Sequence, residues 1–120
     1  MSYAAYKLIH IASILFLFTT IGGVALYGAN GGTKQNNVGR IWVAAIHGLT
    51  LAFIFISGFG LIAKIGTGFQ AWVWAKVALW FVIGGIAMLP LRKQSLGLPY
   101  LVVMPLLGAV AAFLALFKPI

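Results

Sequence analysis

Four long apolar runs, separated by short polar connectors, limit what this chain can fold into. They cover residues of about 3–27, 41–63, 71–91 and 98–117. A helix that crosses the hydrocarbon core of a bilayer needs roughly 20 apolar residues, and each run has about that length. We therefore predict an all-α polytopic membrane protein in which residues 1–120 form a single bundle of four transmembrane helices.

The composition agrees with this prediction and excludes several kinds of chemistry. Hydrophobic residues make up 63% of the chain and charged residues only 7%, too few to cover a soluble domain. Cysteine, Asp and Glu are all absent. Disulfides, thiolate nucleophiles, paired-carboxylate hydrolysis and carboxylate-bound cations are therefore excluded. Since the connectors leave no room for a soluble catalytic domain, we favour a protein that is not an enzyme.

The basic residues predict a partner and an orientation. Eight Lys and Arg give a net charge of +8, and they lie singly at helix ends instead of forming one basic face. We therefore expect them to meet the head groups of the lipid bilayer and not nucleic acid. The side of the first and third connectors carries four basic residues, namely Lys34, Arg40, Arg92 and Lys93. The opposite side carries three, namely Lys7, Lys64 and Lys118. The positive-inside rule then favours an N-terminus outside the cytoplasm.

Polar side chains recur on one face of each of the first three helices. Steps of three and four residues bring such positions onto a common face. In lipid, polar side chains turn toward neighbouring helices or toward a cofactor, so we predict that these faces line the interior of the bundle. The rows are Tyr6, His10, Ser13, Leu17, Thr20, Val24 and Tyr27; His47, Thr50, Ile54, Ser57, Leu61 and Lys64; and Trp72, Lys76, Leu79, Ile83 and Pro90.

Depth in the membrane decides which of these polar residues can meet. At a rise of about 1.5 Å per residue, His10 lies roughly 10 Å below one surface and His47 roughly 10 Å below the other. In a core about 30 Å thick, the two histidines are too far apart to share a metal within one chain. Lys76 enters from the same surface as His10 and reaches about the same level. Two simpler interpretations stay open, namely histidines that hydrogen-bond to neighbouring helices and a Lys76 that extends to the surface beside Trp72 and Trp74.

Two short motifs resemble a known family. Tyr6-Lys7-Leu8-Ile9-His10 opens the first helix, and a segment from Trp72 to Leu79 that contains Lys76 opens the third. This is similar to the K-x-x-H and W-x-x-x-K pattern of the SirB family of small bacterial inner-membrane proteins. It resembles, more distantly, HemJ-type protoporphyrinogen oxidases and the membrane domain of CopD-type copper-resistance proteins. The resemblance covers the whole four-helix length.

This resemblance implies a porphyrin-associated bundle in the bacterial inner (cytoplasmic) membrane. In the HemJ-like relatives, a His of the first helix and a Lys of the third are the residues tied to haem, and they correspond to His10 and Lys76. Those relatives also carry Arg and His near the end of the first helix, where this chain has the uncharged segment Thr19 to Gly23. The resemblance therefore does not extend to porphyrinogen oxidation.

We expect the protein to bind haem b, or another porphyrin, between the first and third helices for electron transfer or haem handling. His10 is the predicted axial and metal ligand, and Lys76 is the second ligand or a propionate partner. In an intermolecular variant, His10 or His47 from two chains brackets one cofactor across a homo-oligomer interface. The candidate walls are Ser13, Trp72 and Trp80.

A cofactor-free accessory or structural subunit of a larger membrane complex is the alternative. Small residues form a seam beside His47 on the second helix, where another backbone or a flat ligand could come close, and an exposed seam on the fourth helix. The positions are Ala44, Gly48 and Ala52, and Gly108 and Ala112. A transporter or channel ranks third, because four helices make a thin wall around a pore and no acidic residue is present for ion coupling.

Overall fold

The computed structural model describes residues 2–66 and 68–118; residues 1, 67, 119 and 120 of the predicted bundle lie outside this part. The described residues form four α-helices and no strand: α1 (Tyr3–Ala29), α2 (Arg40–Ile65), α3 (Ala71–Ile86) and α4 (Gly97–Phe117). Two short 3₁₀ turns, Leu89–Leu91 and Gln94–Leu96, connect α3 to α4. With these turns included, four segments are long and apolar enough to cross a membrane. The predicted all-α bundle of four membrane-spanning helices is confirmed.

The helix α1 is the centre of the bundle. It packs along α2 and against α4, and α3 packs mainly on α4. The helices α2 and α3 stand further apart and are bridged by large side chains. The indole Nε1–H of Trp80 donates to the carbonyl of Leu51 at 2.9 Å, and the rings of Phe55 and Trp80 lie 5.0 Å apart. A cavity lies at each end of the bundle: one is bordered by both α2 and α3, and the other by α2 and the segment that follows α3.

Burial confirms the predicted interior rows. Ser13, Leu17 and Val24 of α1, Thr50 and Ser57 of α2, and Trp72, Ile83 and Pro90 near α3 are all buried. The other members of the rows are half-buried, except for Lys64, which is exposed in the last turn of α2. A cation is favourable there because the carbonyl end of a helix carries partial negative charge.

The third helix is shorter than predicted. It ends at Ile86, and the chain then turns and forms a 3₁₀ turn that contains Pro90. Proline has no N–H to donate to the carbonyl four residues earlier, and its ring clashes with that carbonyl, so a regular helix cannot pass through this position. The carbonyl of Ile86 accepts instead the hydroxyl hydrogen of Tyr100, at 2.9 Å. The break in α3 is therefore tied to α4.

Replacing Tyr100 by phenylalanine is expected to destabilise the bundle by about 1 kcal/mol, because the carbonyl of Ile86 then loses its partner in an apolar environment. The measurement is reversible unfolding of the purified protein in mixed micelles of mild detergent and dodecyl sulfate. Tyr3→Phe is the matched control, since the Tyr3 side chain is 44% exposed. Equal unfolding midpoints for the two variants would contradict the role given to the Tyr100 hydroxyl.

Two glycines allow the connector between α3 and α4 to pack directly on the end of α1. A Cβ atom at Gly97 would meet the carbonyl oxygen of Ala25 and atoms of Ala29, and a Cβ at Gly28 would meet the backbone of Pro90. Backbone is therefore in contact with backbone at both positions.

On α4, the expectation that Gly108 belongs to an exposed seam is wrong. A Cβ atom at Gly108 would come within 2.9 Å of the Phe18 ring, so this glycine packs against α1. Only Ala112 of that pair is exposed.

Candidate functional site

A cavity of about 310 Å³ lies at the end of the bundle where α1 and α3 begin and α2 and α4 end. We call it the His10 cleft. Its floor is the first part of α1, and its walls are the last part of α2, the first part of α3 and the end of α4. Most of its surface is apolar, and its aromatic walls are Phe55, Phe59, Trp72 and Trp80. The cleft is therefore built for a largely apolar ligand.

The imidazole of His10 is held in one orientation by α2. Its Nδ1 atom lies 3.1 Å from the carbonyl oxygen of Ile54 and 3.0 Å from the hydroxyl oxygen of Ser57. The Ser57 hydroxyl donates its hydrogen to the carbonyl oxygen of Phe53, at 2.5 Å. Both partners of Nδ1 thus act as acceptors, so Nδ1 carries the proton and donates. In the neutral ring, Nε2 then has a lone pair, and it makes no hydrogen bond within the described part of the chain.

The space for this ring is provided by Gly58. A Cβ atom there would lie 3.3 Å from Cε1 of His10, which is tighter than ordinary packing contact. The helix α2 therefore supplies both the acceptors that orient the imidazole and the space that admits it.

Among the residues that the structure describes, three lysines line the His10 cleft, and none has an acidic partner there. Lys76 is half-buried on α3, and its ammonium makes no hydrogen bond or ion pair in residues 2–66 and 68–118. The Lys7 ammonium lies 5.6 Å from the centre of the Tyr3 ring, and that of Lys118 lies 5.3 Å from the Trp72 ring. Because the chain contains no Asp or Glu, no acidic side chain balances these lysines, and the cleft combines apolar walls with positive charge.

The structure brings four of the six predicted site residues together. His10, Lys76 and Trp72 line the same cleft, and Trp80 lies with them. Ser13 is buried, but it does not line the cleft. His47 borders a different cavity at the opposite end of the bundle, which agrees with the separation expected from membrane depth.

Neither nitrogen of His47 is open to a ligand. Its Nε2–H donates to the carbonyl of Gly84 at 3.0 Å, which fixes the tautomer. Its Nδ1 is buried and has no hydrogen-bond partner within the described part of the chain. A cofactor bracketed by His47 from two chains is therefore not favoured by this geometry.

Sequence reasoning missed the role of Ser57 and the contribution of the second helix to the cleft. A signal for Ser57 exists: it lies about two turns before the end of α2, and His10 lies about two turns after the start of α1. In antiparallel neighbours those positions share a depth, so the pairing follows once α1 and α2 are taken as adjacent. No comparable signal marks Phe55 and Phe59, because apolar residues occur on every face of α2 and periodicity does not single out these two.

Within residues 2–66 and 68–118, no group of three or more metal-ligating side chains is present. A metal held by protein side chains alone therefore has no site among the residues described. An iron already held by the four nitrogens of a porphyrin needs only one or two axial ligands. One free imidazole nitrogen meets that smaller requirement.

Comparisons with protein-family models, with curated proteins and with solved structures gave no match to this chain. The features that bear on function are therefore those of the cleft itself. It offers one oriented imidazole, three lysines and aromatic walls at one end of a bundle of membrane-spanning helices.

Proposed function

We propose that the His10 cleft binds haem b, or a related porphyrin, and that the protein carries electrons or handles haem in the membrane. The observation that supports this proposal most directly is the orientation of His10. Metal-ligating histidines commonly donate their second ring N–H to a carbonyl or another oxygen, which fixes the tautomer and makes the ligating nitrogen more basic. Nδ1 of His10 has such partners in Ile54 and Ser57. A bound haem iron would supply one-electron redox chemistry.

The charge of the cleft suits the edge of a haem that carries two propionates. Lys7 and Lys118 are exposed at the end of the bundle and are the candidates for these carboxylates. Lys76 lies deeper and is the candidate for the second axial ligand or for a further propionate contact. The aromatic walls, among them Trp72 and Trp80, provide flat apolar surface for the ring.

The size of the cleft also bears on how a porphyrin would fit. A volume of about 310 Å³ is at the small end of ligand sites. Tyr3 and Leu116 at the cleft are exposed on the outer surface of the bundle. One edge of the ring is therefore expected to remain in contact with lipid.

Purified protein titrated with haem is expected to give a Soret band and, after reduction with dithionite, α and β bands. Lys76→Met is expected to lower the affinity or to change the reduced spectrum, because it removes the deepest cation of the cleft. Lys64→Met is the matched control, since Lys64 is an exposed lysine outside the cleft. A wild type that stays colourless with excess haem would overturn the proposal, and equal effects of the two substitutions would remove Lys76 from the site.

A cofactor-free accessory subunit is the second candidate, and the outer face of α2 favours it. Ala44, Gly48 and Ala52 are all exposed on this face, and no atom of the described chain lies within 4 Å of a Cβ built at Gly48. A helix of another membrane protein can approach such a surface closely. This candidate requires a colourless protein that purifies stably with a defined larger complex, so the haem titration separates the two.

A further inference from the structure

A second cavity, of about 460 Å³, lies at the opposite end of the bundle from the His10 cleft. We call it the basic cavity. The connector after α1 and the start of α2 border it on one side, and the segment that follows α3 borders it on the other. Its inner end is formed by His47 and Gly48, about two helical turns beyond the start of α2. The cavity thus opens at the membrane surface and extends into the span.

Among the described residues, three cations and no anion line the basic cavity. The cations are Lys34, Arg40 and Arg92. The guanidinium of Arg40 donates to the carbonyl of Gln35 at 3.3 Å, whereas the side chains of Lys34 and Arg92 make no hydrogen bond or ion pair in the described part of the chain. The sequence has no Asp or Glu that could pair with them. Like charges that share a cavity raise its potential, and a bound anion lowers it.

The start of α2 adds to this positive potential. The N-cap residue is Gly39, which has no side-chain oxygen to accept hydrogen bonds from the first-turn amides. The N-terminal end of a helix carries partial positive charge, and Arg40 and Val43 of this first turn line the cavity. Asn37 also lines the cavity, and its side-chain oxygen accepts from the N–H of Gly39 at 2.9 Å, which leaves its NH₂ group as a donor.

We propose that the basic cavity binds the phosphoryl group of an anionic phospholipid. Arginine matches phosphate oxygens with two parallel N–H donors, and Arg40 and Arg92 contribute from opposite sides of the cavity. The membrane side of the cavity favours a lipid over a soluble phosphate. Ala44 and Gly48 are exposed there and leave a smooth apolar path along α2 for acyl chains.

The test is native mass spectrometry of the detergent-solubilised protein with added dioleoylphosphatidylglycerol or dioleoylphosphatidylcholine. We expect one phosphatidylglycerol to bind in preference to phosphatidylcholine. A basic residue near an anionic lipid contributes about fivefold in affinity, so the double variant Arg40→Gln/Arg92→Gln should bind phosphatidylglycerol about 25-fold more weakly. The matched control is Lys93→Gln, which removes an exposed charge next to Arg92 but outside the cavity.

The charge-conserving double variant Arg40→Lys/Arg92→Lys separates loss of charge from loss of fold, and it should retain most of the binding. Circular dichroism and gel filtration of all variants report on folding. Equal weakening by Lys93→Gln, or equal binding of the two lipids by the wild type, would overturn the proposal, because either result indicates diffuse attraction to the protein surface. Competition with inorganic phosphate identifies the source: displacement of phosphatidylglycerol at millimolar phosphate would support the phosphoryl site but overturn its assignment to lipid.

Discussion

Replacement of Gly97 by alanine is expected to destabilise the bundle by about 3 kcal/mol, the upper part of the usual range for overpacking. A Cβ atom at this position would lie 2.6 Å from the Cβ of Ala29 and 2.7 Å from its backbone nitrogen, and closer still to the carbonyl oxygen of Ala25. Two of these three atoms belong to the α1 backbone, so no change of rotamer relieves the contact. The start of α4 has to move away from α1 as a whole.

The measurement is unfolding in mixed micelles, with Gly85→Ala as the matched control. Gly85 also lies in a helix, α3, but a Cβ atom there meets nothing within 4 Å. We expect this control to unfold at or above the wild-type midpoint, because alanine is the better helix former. Similar midpoints for the two variants would show that α4 does not approach α1 as closely as described.

Replacement of His10 by alanine is expected to abolish the Soret and reduced-state bands that the proposed haem site predicts. The substitution removes the one imidazole nitrogen in the cleft that is both oriented and free of a hydrogen bond. His47→Ala is the matched control, because His47 also bonds to a carbonyl of a neighbouring helix but borders the other cavity. We expect this control to retain the spectrum.

A second readout separates loss of the axial ligand from loss of the cleft. Metal-free protoporphyrin has no iron to ligate, so His10→Ala should still bind it through the apolar walls and the lysines. The fluorescence of metal-free protoporphyrin, followed in titrations with the wild type and with the variant, measures this binding. A spectrum lost with His47→Ala and kept with His10→Ala would contradict the ligand assignment, whereas failure of both haem and metal-free porphyrin to bind the wild type would overturn the haem site itself.

The features that sequence reasoning predicted correctly depend on helix period and bilayer thickness. The four helices follow from the length of the apolar runs, and the interior rows follow from the 3.6-residue period. The same two quantities predict that His10 and Lys76 lie at one end of the bundle and His47 at the other. In the structure, these residues line cavities at opposite ends.

Which helices are neighbours in the bundle could not be predicted in this way, because periodicity shows which face of a helix is inward but not which helix that face meets. The central position of α1 depends on close contacts such as Gly97 against Ala25 and Gly108 against Phe18. Each of these requires both partners to be known. The hydrogen bond from His10 to Ser57 was missed for the same reason, since it needs α2 to be the neighbour of α1 on that face.

The central position of α1 also orders the steps by which the protein assembles in the membrane. Among the four described helices, α1 is made before the two that pack on it, α2 and α4, so α1 and α2 can associate as a hairpin before α3 and α4 are made. The helix α3 has few contacts with this hairpin. Until α4 inserts, α3 lacks its main packing surface, and the carbonyl of Ile86 lacks the hydroxyl of Tyr100. Of these four helices, the last to be made is therefore the one that fixes the third in place and completes the walls of the cleft.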